Sequence, residues 1–528
     1  MKRTIGVYLV LAGLLFASTV QAGGTLNKQQ LKALEDADIY FEIGDYHTAL
    51  GVYNQLYEVD SSYKQLSYKI GVCLYQLREP MKAEPYLEHA KRKGEKEAYY
   101  YLSAIYHLKE EFDAEIALLQ QYKNFNIEHE VPLERVNKLI ESANYAKDLM
   151  RKPGNVDIVN AGAVVNSTHH EYAPLVYGPE NELFFTSRRP QTTGGKQDPN
   201  GAYFEDIYRS IKESGYWTAP EPLNENINTA TNDASVGISQ DGQILYLFRT
   251  NDDLVSGDLY ESRLTADGWG VPKKLGPEIN SNYVESSASI SNDERVLYFS
   301  SNRPGGYGGK DIYRVVKLPT GNWSKAQNLG PTINTPYDED APFIHVDNKS
   351  LYFSSNGHKT MGGYDIFVSE LGENGMWSEP LNMGYPVNTV ANDLYFVMSP
   401  DKQNGYYSSA QGGGFGGQDI YVITFKLYAE ILSVVKGGVF AGSGASIPVG
   451  AKVTLIDSET RDIQGIYKAN EKNGRFIMVI APERSYTMIV EADGYHTYSE
   501  EVSFGPESLF SSSISEIKLV PTEVAKHE

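Results

Sequence analysis

The stretch Leu297-Tyr298-Phe299-Ser300-Ser301-Asn302-Arg303, followed by Gly305-Gly306-Tyr307-Gly308-Gly309 and then Asp311-Ile312-Tyr313, decides the fold of most of this chain. Two β-rich triplets separated by turn residues read as adjacent short strands. The same elements return along the chain. The first triplet recurs as Leu183-Phe184-Phe185, Leu245-Tyr246-Leu247, Leu351-Tyr352-Phe353 and Gly405-Tyr406-Tyr407. An aspartate followed by Ile or Leu marks Asp206, Asp258, Asp311, Asp365 and Asp419, a period of about 53 residues. Trp217, Trp269, Trp323 and Trp377 fall on the same beat. So does an aliphatic-Asn pair at Val165-Asn166, Ile227-Asn228, Ile279-Asn280, Ile333-Asn334 and Val387-Asn388.

Each period has room for four short strands, and a four-stranded unit repeated radially is a propeller blade. The markers are out of phase at the two ends. Val165-Asn166 precedes the first triplet, and nothing comparable follows Asp419. A ring removes this mismatch if the segment from Val156 to Ser167 supplies the outer strand of the last blade, which also removes exposed strand edges. The expectation is five blades, with six as the rival if an irregular blade hides in an insertion. The insertion from Gln191 to Phe204 is expected to be a loop.

The flanks differ in kind. From about Leu26 to Met150 the apolar residues recur at helical spacing, and Ala49, Ala83 and Ala117 are 34 residues apart, as are Ala37, Gly71 and Ile105. Gly44-Asp45-Tyr46 reads as a turn between paired helices. Lys152-Pro153-Gly154 is a breaker cluster. Beyond Leu427, apolar and polar residues alternate between turns, as in Val434 to Val439, Ile447 to Leu455 and Tyr486 to Val490, which predicts a β-sandwich of about seven strands, with Ile514 to Val520 as the last. The fold class is multidomain: an all-α repeat array, an all-β propeller and an all-β sandwich. The expected limits are a signal peptide at 1–22, the helical array at 23–152, the propeller at 153–427, the sandwich at 428–522 and a tail at 523–528.

These motifs resemble known families. The 34-residue helical period resembles the tetratricopeptide repeat, whose stacked units form a concave groove; the groove either receives a partner or merely orients the next domain. Ser300-Ser301-Asn302-Arg303, with Ser354-Ser355-Asn356 and Ser187-Arg188-Arg189, resembles the PD40 type of WD40-like repeat found in TolB-type propellers. The C-terminal region resembles the carboxypeptidase regulatory-like, transthyretin-type module, a family without catalytic residues. The order of the three resembles the PorE-like envelope proteins of Bacteroidota, accessory to type IX secretion. Members of that family typically continue into an OmpA-like peptidoglycan-binding domain; no such domain follows here, and the lipoprotein cysteine is missing, so direct anchoring is not expected.

Composition narrows the function. A formal charge of -21 disfavours nucleic acid and anionic lipid as partners. Lys2 and Arg3, an apolar run to Ala17 and Val20-Gln21-Ala22 have the order of a secretory signal, so the expectation is a periplasmic protein, peripheral to the outer membrane and not a lipoprotein. The single cysteine, Cys73, has no disulfide partner and reads as a core residue. No catalytic, cofactor or metal motif stands out: zinc spacing, nucleophile elbow and phosphate loop are all missing. His169-His170-Glu171 reads as an exposed turn, and Asp338-Glu339-Asp340 as a solvated edge rather than a calcium loop. The blade aspartates read as structural acceptors for neighbouring turns. The functional expectation is a non-enzymatic scaffold binding envelope or secretion-system proteins; the alternative is a hydrolase, or a glycan- or small-ligand-binding sensor, working in the propeller channel. Candidate contact residues are Arg188, Arg189, Arg249, Asn302, Arg303 and Asn356, which could equally tie blades together.

Overall fold

The computed structural model describes residues 26–522, apart from 64, 179, 199, 252, 255, 427–432, 442–446, 460, 481–483, 505–511 and 515. The expected signal peptide and C-terminal tail lie outside the described residues. The chain divides into two compact units, residues 1–105 and 106–528. The helical segment expected as one module up to residue 152 is therefore shared between them.

In the first unit, α1 (Lys28–Glu42), α2 (Tyr46–Val59), α3 (Leu66–Gln76) and α4 (Pro80–Arg92) pack each against the next. Asn27 and Gln30 form a reciprocal capping box that starts α1, and the Asp45 carboxylate accepts the Thr48 amide at the head of α2. The small residues Ala37, Ala49 and Ala83 are fully buried, as helices in close approach require. Cys73 lies in the same core, and burial pushes its thiol up to about 12. The chain continues through α5 (Ala98–Leu108), α6 (Phe112–Lys123) and α7 (Leu133–Met150). Among the described residues no helix is long and apolar enough to cross a membrane.

The second unit contains five antiparallel sheets that follow the sequence period. Blade 1 runs inside to outside through Glu171–Val176, Glu182–Ser187, Asp206–Glu213, Tyr216–Trp217 and Glu221–Pro222. The inner strands of blades 2 to 5 are Asp233–Ile238, Ala288–Ile290, Glu339–Ile344 and Asp393–Met398. Each inner strand touches the next, and that of blade 5 touches that of blade 1, so the ring closes on five blades. Second-strand triplets are buried on both faces because blades stack face to face, which is why they read as unbroken apolar runs.

Blade 5 is built from both ends of the domain. Val156–Asn160 pairs antiparallel with Asp419–Phe425 along its whole length, from Val156 opposite Phe425 to Asn160 opposite Tyr421. The sheet order places it outermost, as the phase of the markers requires.

The C-terminal region forms two sheets over one core. In one, Ser433–Ala441 is flanked by Arg475–Ile480 and the short strands Ile447–Pro448, Ser512–Ser513 and Ile517–Leu519. In the other, the order is Ile463–Ala469, Ala451–Asp457, Ser485–Glu491 and Tyr498–Ser503. Val439, Val453, Met478, Met488 and Val490 fill the space between them.

Candidate functional site

The recurrent polar residues of the ring make one lattice, repeated five times. Asn166, Asn228, Asn280, Asn334 and Asn388 are buried, and each side-chain amide brackets one residue of a third strand. Asn334, for example, accepts the Ile312 amide through Oδ1 at 2.7 Å and donates Nδ2 to the Ile312 carbonyl at 3.0 Å. Asn166 does the same to Ile420, at 2.9 and 3.0 Å, and thereby locks the ring closure. The bracketed residue always follows the blade aspartate. Asp311 accepts the Tyr307 and Gly308 amides and the Asn328 side chain; Asp365 and Asp419 accept the equivalent groups, Asp206 accepts Thr193, and Asp258 accepts Lys274.

A second acidic series escaped the sequence reading. Glu171, Asp233, Glu285, Glu339 and Asp393 begin the inner-strand tier, are inaccessible, and each accepts the amide and hydroxyl of the Ser or Thr four residues earlier. The signal was available: each marker Asn is followed by Ser or Thr and, four residues on, by Glu or Asp. Two expectations are thereby corrected. Glu171 is not part of an exposed turn, and Glu339 and Asp340 are not a solvated edge but buried groups at the start of an inner strand. A buried carboxylate persists only where donors surround it. Asp340 accepts Ser287, Ser300 and Lys310 Nζ; burial opposes its ionisation, but Lys310 and the hydroxyls outweigh this and hold it near 2.

The candidate contact residues fall within this lattice. Arg189, Arg249 and Arg303 pair with Glu171, Asp233 and Glu285 and donate to the carbonyls of Val165, Ile227 and Ile279. Asn302 accepts the Val284 amide and Asn356 the Asp338 amide. Arg188 donates to the Tyr203 carbonyl and to Asp198, within the loop from 191 to 204. Trp217 and Trp269 lie on short outer strands, and Trp323 and Trp377 in isolated bridges to Lys317 and Leu371; Trp269 packs edge-on to Phe184 and Trp377 to Tyr298 of the preceding blades, while Trp217 and Trp323 have Lys212 and Lys317 over their rings.

The channel is lined by inner-strand residues such as Leu175, Ile238, Phe343 and Val397, with Ser287, Ser289 and Tyr395 as its polar members. Its cavity of ≈ 30 Å³ is smaller than a sugar ring.

At the end where inner strands begin, three loops are superimposable in sequence: Tyr307-Gly308-Gly309, Met361-Gly362-Gly363 and Phe415-Gly416-Gly417, each four residues ahead of its blade aspartate. The aspartate accepts the amide of the apolar residue and fixes where its side chain projects. The following glycine cannot carry a side chain: a Cβ on Gly308 would lie 1.8 Å from the Tyr337 carbonyl oxygen, and on Gly416 1.7 Å from that of His169. Met361 is completely buried by Phe112, Ala143 and Ala146 of α6 and α7. Around this seat, Lys138 donates to the Gly357 carbonyl and lies 4.0 Å from the Tyr337 ring centroid. Burial, with Arg135 adding repulsion, lowers Lys138 to about 8. Tyr307 and Phe415, in the same register, remain 50% and 48% exposed.

No protein-family model and no curated protein matches the sequence. Among solved structures, TolB from Agrobacterium tumefaciens is similar at 15% identity over 62% of this chain and 97% of that one, with a TM-score of 0.32. An α-L-arabinofuranosidase from Lactobacillus brevis is similar at 12% identity over 50% and 94%, with a TM-score of 0.35. The β-propeller domain of the Trilobed protease from Pyrococcus furiosus is similar at 11% identity over 64% and 83%, with a TM-score of 0.24. Likeness this slight carries no functional argument, and the five-bladed ring rests on its own strand pairing.

Proposed function

We propose that this chain is a non-enzymatic scaffold of a Gram-negative envelope, and that its propeller receives helical segments of partner proteins on the loop end of the ring. The carrying observation is the Met361 seat. One apolar loop tip already holds a helix pair of the same chain, and Tyr307 and Phe415 offer the same geometry to other helices. Exposed aromatics held by a rigid frame are the residues that dominate protein interfaces. The lattice adds support, because it spends the recurrent charged groups on rigidity.

The finer reading is a periplasmic, exported protein of the PorE-like kind, with tetratricopeptide-type helices and a regulatory-like sandwich, serving type IX secretion or outer-membrane and cell-wall organisation. It rests on the module order and the N-terminal pattern. Affinity capture from envelope extracts tests it: the wild-type chain should retrieve a defined partner, and Tyr307→Ala with Phe415→Ala should lose it while melting normally. Retrieval of no partner, or of the same partner by the double variant, contradicts the proposal.

A further inference from the structure

At the other end of the ring, the turns after the inner strands face the C-terminal sheets across a cavity of ≈ 750 Å³. The Asn470 side chain donates to Asp241, and Lys468 pairs with Glu294 at 3.1 Å, so the two walls are joined directly. Among the charged residues of the lining, cations outnumber acids six to three. Arg263 and Lys317 face it from the propeller, and Lys436, Lys468, Lys472 and Arg475 from the sheets. The acids present are Asp241, Glu294 and Glu471.

Asp241 and Glu294 are engaged within the cleft, whereas the cations other than Lys468 hold neutral or distant partners: Lys472 donates to the Leu264 carbonyl at 3.2 Å, Lys317 lies over the Trp323 ring and Arg475 over the Phe440 ring. Asp241 accepts Asn470, Ser239 and the Gln243 amide, Glu294 pairs with Lys468 at 3.1 Å, and the exposed Glu471 reaches Lys468 only at 3.9 Å. Arg263 and Arg475 reach their nearest carboxylates, Glu261 and Glu516, only at 3.7 and 3.9 Å. An adjoining cavity of ≈ 270 Å³ shares Arg263, Lys317 and Glu294 and adds Glu261, Lys273 and Lys274, the last paired with Asp258 at 2.7 Å. On a chain of formal charge -21, this is a local reversal of sign inside a concave site, where low-dielectric walls strengthen the field.

We infer that this cleft binds a compact polyanion, of the diphosphate or polycarboxylate class, which bridges the propeller wall to the sheet wall. The volume suits a small ligand. Cations on two facing walls demand at least two separated anionic groups, which a chloride or a single carboxylate does not supply. Bound there, the anion would fasten the two walls together and raise the stability of the assembly by mass action.

Titration calorimetry and thermal melting of the whole chain with pyrophosphate and with citrate, at low and high sodium chloride, test the inference. Binding of either anion, a rise in melting temperature and weakening by salt are expected; the anion that binds identifies phosphate or carboxylate chemistry. Lys317→Glu with Lys436→Glu should weaken binding at least tenfold, and the milder Lys317→Gln with Lys436→Gln should do so less strongly. Lys359→Glu, on an exposed loop elsewhere, should leave it unchanged. Absence of heat and of any melting shift with both anions overturns the inference, as does equal binding by the cleft variants and the wild type. These readouts need no partner protein, so they fail or succeed independently of the scaffold proposal.

Discussion

Blades 3 and 5 carry the same clamp on very different stretches of chain. Asn334 brackets Ile312 from 22 residues away, whereas Asn166 brackets Ile420 from 254 residues away. The bonds have the same lengths within a few tenths of an ångström, so the chemistry of closure is that of every other blade boundary. What differs is entropy: closing the longer loop costs about 2 kcal/mol more by chain statistics. Blade 5 offsets that cost with a full strand, Val156–Asn160, and with the packing of Ile158, Ile423 and Phe425. The lesson is that a ring needs no special latch where an ordinary blade contact is repeated across the seam.

The largest effects are expected at the loop glycines. Gly308→Ala and Gly416→Ala each drive a methyl into a backbone carbonyl, and each should cost about 3 kcal/mol in denaturant unfolding. A much smaller cost at Gly416 than at Gly308 would show that the seam is looser than blade 3. Next come the clamps: Asn166→Ala and Asn334→Ala strand a buried amide and carbonyl, with an expected loss of about 2 kcal/mol each. Unequal losses would separate seam from interior.

The acidic lattice sets a pH dependence. Burial raises Glu339 and Asp365 to about 7, above the unfolded carboxylate range near 4. The folded state then holds protons that the unfolded state has released, so this contribution is complete below about pH 4 and is lost as pH rises through 7. Melting temperature should be higher at pH 5 than at pH 8, and Asp365→Asn should flatten the slope. Asp340, held near 2, works in the opposite sense only below about pH 4. The smallest effect is expected at Arg188, whose partners lie in the inserted loop; Arg188→Ala should cost less than about 1 kcal/mol.

The ring and its seam were legible because apolar triplets, Asp-Ile pairs, tryptophans and Asn elements share one beat, and a phase mismatch between them has only a cyclic solution. The second acidic series was legible too, but acids beside His170 or Asp338 look solvated by composition; only burial reveals Glu171 and Glu339 as internal. The helix seat was not readable, since Met361 occupies a glycine-rich turn like any other and its cover lies more than two hundred residues earlier. Nor was the basic cleft, whose cations come from positions between Arg263 and Arg475 and are outnumbered in the chain as a whole.

Native-state hydrogen exchange at the Ile420 amide tests the closure most directly. If Asn166 holds it as Asn334 holds Ile312 and Asn388 holds Ile366, the three amides should exchange with similar opening free energies, near that of global unfolding of the ring. An Ile420 amide that exchanges orders of magnitude faster than the other two would contradict a ring sealed by its first strand.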